Sequence, residues 1–280
     1  AEDEKQHKVF KLSKGRKIRK IYIVNHSKKS KLVKLIPYLE DTLKKVDKTN
    51  VNYAFQKGKN CSLGAINHIG YKYTISFDLV NFFDSVRKSH VEGILDNEVI
   101  NFCFIDDAPR QGLPTSPLIA TIAFLKCDQL ILDHIKKSKI DAVYTRYADD
   151  LIFSHPDRNV CVGRLLTYLE RVIHDEGFKI NKKKTVIMRT PHRQMITGLV
   201  LHEDGPRVPK KYLKQVRAML HNADRLICNG KNPDNIDEIK GRLSFIKMVM
   251  PEYAKKTSEK YPWLTSAANT LAPAKSGDVS

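Results

Sequence analysis

The sequence predicts an α+β fold, and three stretches carry that reading. Tyr73-Thr74-Ile75-Ser76-Phe77-Asp78 alternates apolar and polar residues as a half-buried strand does. Val143 to Ser154 holds two β-prone runs around Ala148-Asp149-Asp150, the pattern of a hairpin with two acids at its tip. Beyond Pro209 the apolar residues fall at helical spacing instead. With 280 residues the chain can build one large domain or two modest ones, and it shows no internal repeat.

The elements follow in order. Lys8 to Val24 reads as a basic hairpin, with strand-like Val9-Phe10-Lys11-Leu12 and Ile21-Tyr22-Ile23-Val24 around the cationic run Lys14 to Lys20. Taken alone, such a run is most simply a solvated turn. In the next strand, period two sets Tyr73, Ile75 and Phe77 on one face and Thr74, Ser76 and Asp78 on the other, so a carboxylate stands at its end. Thr115-Ser116-Pro117 supplies a cap and a first-turn proline for a helix through Leu118, Ile122, Leu125 and Leu132 to about Lys137, and Arg110 to Pro114 before it is a shaped loop. After the acid-tipped hairpin, Val162, Leu165, Leu166, Leu169, Val172 and Ile173 mark a helix that Gly177 terminates. Thr185 to Met188 reads as a strand, and Met195 to Val208 as a hairpin turning at Asp204-Gly205. Leu213, Val216, Leu220 and Ile227 lie on a helix ending at Asn229-Gly230; Ile236, Ile239, Leu243 and Ile246 lie on another that ends before Pro251. These two form a small helical domain, and Ser266 to Ser280, rich in small and polar residues, reads as a disordered tail.

Composition narrows the chemistry. Lys and Arg number 49 against 31 Asp and Glu, a net charge of +18 that points to a polyanionic partner. The chain lacks a long apolar run, so no membrane partner is expected. Cys61, Cys103, Cys127, Cys161 and Cys228 show neither a disulfide framework nor zinc-ligand spacing, and Ala1 to His7 has no secretory pattern; both predict the cytoplasm. The histidines lack ligand spacing as well.

Three aspartates stand out: Asp78 at a strand end, and Asp149 and Asp150 at a hairpin tip. Adjacent residues of a hairpin point to opposite faces, so Asp149 and Asp150 converge only if the turn twists them. Carboxylates from separate strands meeting at one point suit magnesium, and two such ions can run phosphoryl transfer. On a chain of charge +18, that combination suggests work on nucleic acid.

Phe77-Asp78-Leu79-Val80-Asn81-Phe82-Phe83-Asp84-Ser85-Val86, Gln111-Gly112-Leu113-Pro114-Thr115-Ser116-Pro117 and Tyr147-Ala148-Asp149-Asp150 resemble, in order and spacing, the motifs of reverse transcriptases. The resemblance runs from about Lys8 to about Pro262. It implies a right-hand polymerase: fingers in residues 1–72, the first catalytic strand of the palm in 73–86, a connection in 87–110, the rest of the palm in 111–205, a helical thumb in 206–262 and a disordered tail in 263–280. It also implies two Mg2+ ions held by Asp78, Asp149, Asp150 and the backbone carbonyl of Leu79. Phe83 then lies beneath the incoming sugar and excludes a 2′-hydroxyl, while Phe82 is core. Gln111 and Gly112 lie against the nucleotide, and Lys14 and Arg19, or neighbours in the same run, neutralise its triphosphate. One of Lys182, Lys183 and Lys184 faces the leaving pyrophosphate, or the run is simply solvated.

Within that family Tyr144 to Leu151, Thr197-Gly198-Leu199-Val200 and Arg207-Val208-Pro209 are similar to bacterial retron enzymes. Gly64-Ala65-Ile66-Asn67-His68 keeps only part of the retron pattern at that site. This likeness implies an RNA-directed DNA polymerase that copies a structured noncoding RNA, serving as both template and primer, into single-stranded DNA branched from a 2′-hydroxyl, in anti-phage defence. His68, Ile196, Thr197, Gly198, Lys210, Lys211, Lys214 and Arg217 are the expected RNA contacts. Deoxynucleoside triphosphates, the DNA copy, a host ribonuclease H and an effector protein from the same locus complete the implied partners. The rivals are another bacterial defence-type reverse transcriptase, such as an abortive-infection enzyme, and a non-catalytic module that only holds structured RNA.

Overall fold

The computed structural model describes residues 7–14 and 17–264. The chain divides into two compact units, Ala1–Thr197 and Gly198–Ser280. In the first, β1 (His7–Lys14) and β2 (Lys17–Val24) pair antiparallel with Val9 opposite Tyr22 and Leu12 opposite Arg19. Most of the cationic run therefore lies on the strands rather than in a loop, and Gly15 and Arg16 lie outside the described residues.

The helices α1 (His26–Lys34) and α2 (Ile36–Val46) come next; Asn25 caps the first by accepting the Lys28 N–H at 2.8 Å, and Leu32, Leu39 and Leu43 are buried. A short α3 (Cys61–Ile66) then leads to β3 (Tyr73–Asp78), which has the bounds its alternation predicts. Its polar face is not free, however, because Thr74 is fully buried. Two short helices follow, α4 (Phe82–Ser85) and α5 (Asn97–Cys103), and then α6 (Ser116–Lys137). Thr115 stands at the N-cap of α6 but its side chain makes no capping bond; Pro117 in the first turn marks the start instead.

The acid-tipped hairpin is β4 (Val143–Tyr147) and β5 (Asp150–His155), followed by α7 (Gly163–Asp175) and β6 (Val186–Arg189). All pairs in the central sheet are antiparallel, in the order β4-β5-β3-β6. α6 packs against α2, α4 and α7 and buries Leu118, Ile122, Phe124 and Ile131 in the main core, where Phe82, Phe124 and Phe178 form a cluster with ring centroids 5.0–6.0 Å apart. β7 (Met195–Ile196) ends the unit.

The second unit opens with the hairpin β8 (Leu199–His202) and β9 (Gly205–Arg207), which turns at Glu203-Asp204, one residue earlier than the sequence suggests. α8 (Lys210–Cys228) and α9 (Ile236–Val249) run where periodicity sets them. Pro251 does not close the helical region: it is the first residue of α10 (Pro251–Lys260), the position where a missing N–H costs nothing. Pro262–Leu264 forms a further 3-10 turn in which Trp263 Nε1 donates to Asp224 at 3.0 Å, so ordered structure runs past 263. The expected tail beyond it lies outside the described residues. Among the described residues, no helix is long and apolar enough to cross a membrane.

Candidate active site

The strand pairing brings the three aspartates together. Asp150 is the register partner of Asp78 on one side and of Tyr147 on the other, so Asp78 and Asp150 project from the same face of the sheet. Ala148 and Asp149 form the tip. Ala148 is left-handed, φ +56°, a conformation that costs a non-glycine residue about 1 kcal/mol, and this supplies the twist that a flat hairpin lacks. The Asp149 carbonyl accepts the Leu79 N–H at 3.0 Å, which fastens the tip to the end of β3.

The far side of β3 is fastened as well. Asn181 N–H donates to the Asp78 carbonyl at 2.7 Å and Val80 N–H to Lys179 at 2.8 Å, and the Lys184 ammonium pairs with the Asp78 carboxylate. Of the lysine run, Lys182 pairs with Glu170 at 2.9 Å, so Lys184 is the member that reaches the acids.

Burial raises both tip carboxyls. For Asp150, desolvation and the charges of Asp149 and Asp78 push the pKa up to about 6; for Asp149, desolvation and Asp78 also push upward, against the pull of Lys184 and Arg19. Acids that burden one another in this way are relieved by a cation, and an all-oxygen donor set suits a hard divalent ion. Among the described residues no group of three or more His, Cys, Asp and Glu side chains is placed to hold a metal ion as it stands.

The other expected site residues lie on β1, β2, α4 and the loop before α6. Arg19 is exposed on β2, and its charge reaches Asp149. Lys14 is the last residue of β1. Phe83 is half-buried, its ring 6.5 Å from Phe55 and 5.8 Å from Phe82, and Phe82 is the core ring of the two. The Gln111 carbonyl accepts Tyr22 N–H at 2.8 Å, which holds the loop before α6 against β2. Gly112 there has φ +109°, and a Cβ would meet the Tyr22 carbonyl oxygen.

Sequence reasoning missed Arg110. Its guanidinium bonds Asp84 Oδ1 at 2.9 Å, the Ile105 carbonyl at 2.8 Å and the Asp106 carbonyl at 2.7 Å, and lies over the Tyr22 ring. It ties the loop to Asp84 and to residues 105 and 106, and the only signal in the sequence is its place directly before Gln111.

Two expected RNA contacts do not reach the surface. Ile196 is 1% exposed and His68 is wholly buried. His68 Nδ1 lies 2.8 Å from Ser154 Oγ and Nε2 lies 2.7 Å from Thr145 Oγ1, with Thr74 Oγ1 bonded to Ser154 in turn. The ring braces the sheet on the face that carries Asp78 and Asp150, which is also why Thr74 is buried. Thr197 is half-buried and left-handed, Gly198 is exposed, and Lys210, Lys211, Lys214 and Arg217 are exposed on α8.

The buried ring has a pH consequence. Desolvation lowers the His68 pKa from 6.5 to about 4, so the unfolded chain binds the proton more readily. Stability from this group is complete above pH 6.5 and is lost as pH falls toward 4, by up to about 3 kcal/mol. His68→Gln should flatten that part of the melting-temperature profile between pH 7 and 4.5; an unchanged slope would assign the acid sensitivity elsewhere.

The family pattern described as reverse transcriptase (RNA-dependent DNA polymerase) matches residues 12–213. The retron Mx162 reverse transcriptase of Myxococcus xanthus is 30% identical over 263 residues, covering 79% of this chain and 54% of that protein. The retron Ec86 enzyme of Escherichia coli is 28% identical (80% and 72% covered), and the Ec73 enzyme 29% (86% and 85%). This chain thus spans about half of the Mx162 protein and most of the Ec73 protein. Among solved structures, telomerase from Candida albicans in complex with a telomeric RNA fragment superposes with a TM-score of 0.55 at 13% identity, over 91% of this chain and 56% of that one. Apo telomerase from Candida tropicalis gives 0.57 at 13%, over 93% and 60%. At such identity the likeness concerns the fold.

Proposed function

This chain is a member of the reverse transcriptase family, and on that premise we propose that it is a retron-type RNA-directed DNA polymerase that copies a structured noncoding RNA into single-stranded DNA. The observation that carries the reading is the meeting of Asp78, Asp149 and Asp150 at the joined ends of β3 and the β4–β5 turn, with Lys184 on Asp78 and the charge of Arg19 reaching Asp149. Residues 1–72 then serve as fingers, 73–205 as palm with its connection, and 206–262 as a helical thumb.

Asp78, Asp149, Asp150 and the Leu79 carbonyl would hold two Mg2+ ions. Those ions supply charge neutralisation at the phosphate under attack and at the leaving pyrophosphate. Lys14 and Arg19 bind the triphosphate, Gln111 and Gly112 flank the nucleotide, and the Lys184–Asp78 pair supports Lys184 as the proton donor to pyrophosphate. Thr197, Gly198 and the exposed cations Lys210, Lys211, Lys214 and Arg217 contact the RNA, without His68 and Ile196. Phosphate contacts of this kind give strength and salt dependence, so selectivity comes from the shape of the RNA.

The half-buried Phe83 is the proposed sugar gate. Phe83→Ala should raise ribonucleotide incorporation relative to deoxyribonucleotide by about tenfold or more, since an open space no longer excludes the 2′-hydroxyl. Phe82→Ala should instead cost about 3–5 kcal/mol of stability through the cavity it leaves. Competition between ATP and dATP reads the first; an unchanged ratio excludes Phe83 as the gate.

The retron assignment is tested by expressing the protein with its native flanking locus and sequencing the nucleic acid that copurifies. A short DNA whose mobility changes after treatment with a debranching enzyme is the expected result. Random cellular RNA, or DNA with a protein-linked 5′ end, would leave a cytoplasmic reverse transcriptase of another kind. In the retron reading the enzyme acts in anti-phage defence with an effector from its locus, and a host ribonuclease H removes the copied RNA.

A further inference from the structure

The turn that presents Asp149 rests on a group wholly inside the protein. Arg146, on β4, and Asp128, in the middle of α6, are both completely buried. Arg146 Nε lies 3.0 Å from each Asp128 oxygen and Nη2 lies 2.6 Å from Oδ2, while Tyr144 donates its hydroxyl to Oδ1 at 2.7 Å. Phe124, one helical turn before Asp128, lies under the guanidinium at 4.9 Å. The remaining donor group, Nη1, reaches the carbonyl of Ala148 at 3.2 Å.

Two considerations give this arrangement meaning. First, a buried ion pair is no bargain for stability: well-packed apolar residues of the same volume hold a core as well or better, because two charges need not be stripped of water. Second, the bond by which the guanidinium reaches beyond Asp128 ends on Ala148, the left-handed residue whose conformation turns the chain into Asp149. The Arg146 backbone is fixed too, its N–H donating to Val51 at 2.9 Å and its carbonyl accepting Tyr53 N–H at 2.8 Å. The guanidinium thus joins the acid-bearing turn to α6, the helix that begins directly after the nucleotide loop.

We propose that Arg146 is a positioning residue for catalysis: held by Asp128 and Tyr144, it hooks the Ala148 carbonyl and thereby sets the turn that carries Asp149 and Asp150. It touches neither substrate nor metal. Its effect passes through the backbone, and the bond that reads it is Leu79 N–H to the Asp149 carbonyl. The inference rests on the polymerase reading for its effect on turnover, but the loosening of that bond stands without it.

Two variants of the full chain test this. Arg146→Lys keeps the charge beside Asp128 but lacks the planar fork needed to span to Ala148 as well. The neutral triple variant Arg146→Met, Asp128→Leu, Tyr144→Phe removes the network while leaving the core apolar and folded. In metal-free protein, hydrogen exchange at the Leu79 amide should quicken about tenfold or more in both, while Ile75 within the β3 ladder stays protected. On a primed RNA template, kcat should fall about 10- to 100-fold with the KM for deoxynucleotide changed less than about threefold. Wild-type Leu79 protection in a folded variant overturns the proposal, whatever the polymerase assay shows. Faster exchange with unchanged kcat overturns the catalytic role. Faster exchange in a chain whose wild type does not polymerise keeps the hook and removes the polymerase reading instead. If Arg146→Lys does not fold, the triple variant alone decides.

Discussion

Asp149→Asn is expected to lower magnesium-dependent nucleotide addition by about a thousandfold or more, the loss that follows when roughly 4 kcal/mol of charge stabilisation leaves the reacting centre. The amide keeps the size and shape of the carboxylate but not its charge. Fold should be untouched, because the bond that fixes this residue uses its backbone carbonyl, on Leu79 N–H, and not its side chain. Stability should even rise slightly in metal-free protein, since burial and the nearby Asp78 both press against the ionised Asp149. Primer extension and thermal melting, measured on the same preparation, separate the two effects. A variant that extends a primer near the wild-type rate removes Asp149 from the metal site. A variant that is inactive because it is unfolded says nothing against the assignment, and Asp150→Asn, which relieves the more strongly raised carboxyl, then carries the test.

The places where sequence and structure agree share a physical feature: the signal lay in a periodic run long enough to leave one reading. Tyr73–Asp78 alternates without a break, and Ser116–Lys137 has a first-turn proline and apolar residues throughout. The three acids were legible for a different reason, since their motifs are local and rigidly ordered in the chain. Their convergence was not, because neighbouring hairpin residues diverge by default and the twist depends on the φ of Ala148, to which alanine gives no hint. α3, α4 and α5 are too short to show a helical period, whereas α2 carries one in Ile36, Leu39, Leu43 and Val46 that sequence reasoning missed. α10 is hidden because Pro251 reads as a stop after α9, although proline begins a helix as readily as it ends one. The family likeness predicts His68 and Ile196 as RNA contacts, but a likeness marks residues that matter without saying which way they face; the structure turns both inward. Arg146 and Asp128 are the sharpest case. Each looks like an exposed charge on a strand and a helix, and only the packing of β4 on α6 reveals that both are fully buried together.

Gly112→Ala is the second large effect. At φ +109° an L-residue is strained whatever its surroundings, and here the added Cβ also meets the carbonyl oxygen of Tyr22, a backbone atom that cannot swing aside as a side-chain tip can. To make room, the loop must leave β2 and give up the Tyr22 N–H bond to Gln111. Strain and the lost contact together should cost about 2–4 kcal/mol. The functional loss should exceed the stability loss, because β2 also carries Arg19, three residues from Tyr22, whose charge reaches Asp149. If Arg19 binds the triphosphate as proposed, a loop detached from β2 leaves that cation free to drift, so the KM for deoxynucleotide should rise about tenfold or more while kcat at saturation falls less. Gly58→Ala is the control: that glycine is also left-handed, at φ +78°, yet a Cβ there would meet nothing within 4 Å, so it reports backbone strain alone, about 1 kcal/mol. If Gly112→Ala matches Gly58→Ala in both melting temperature and KM, the loop before α6 and the β1–β2 hairpin act independently, and Arg19 must be held in place by something other than the Gln111–Tyr22 bond.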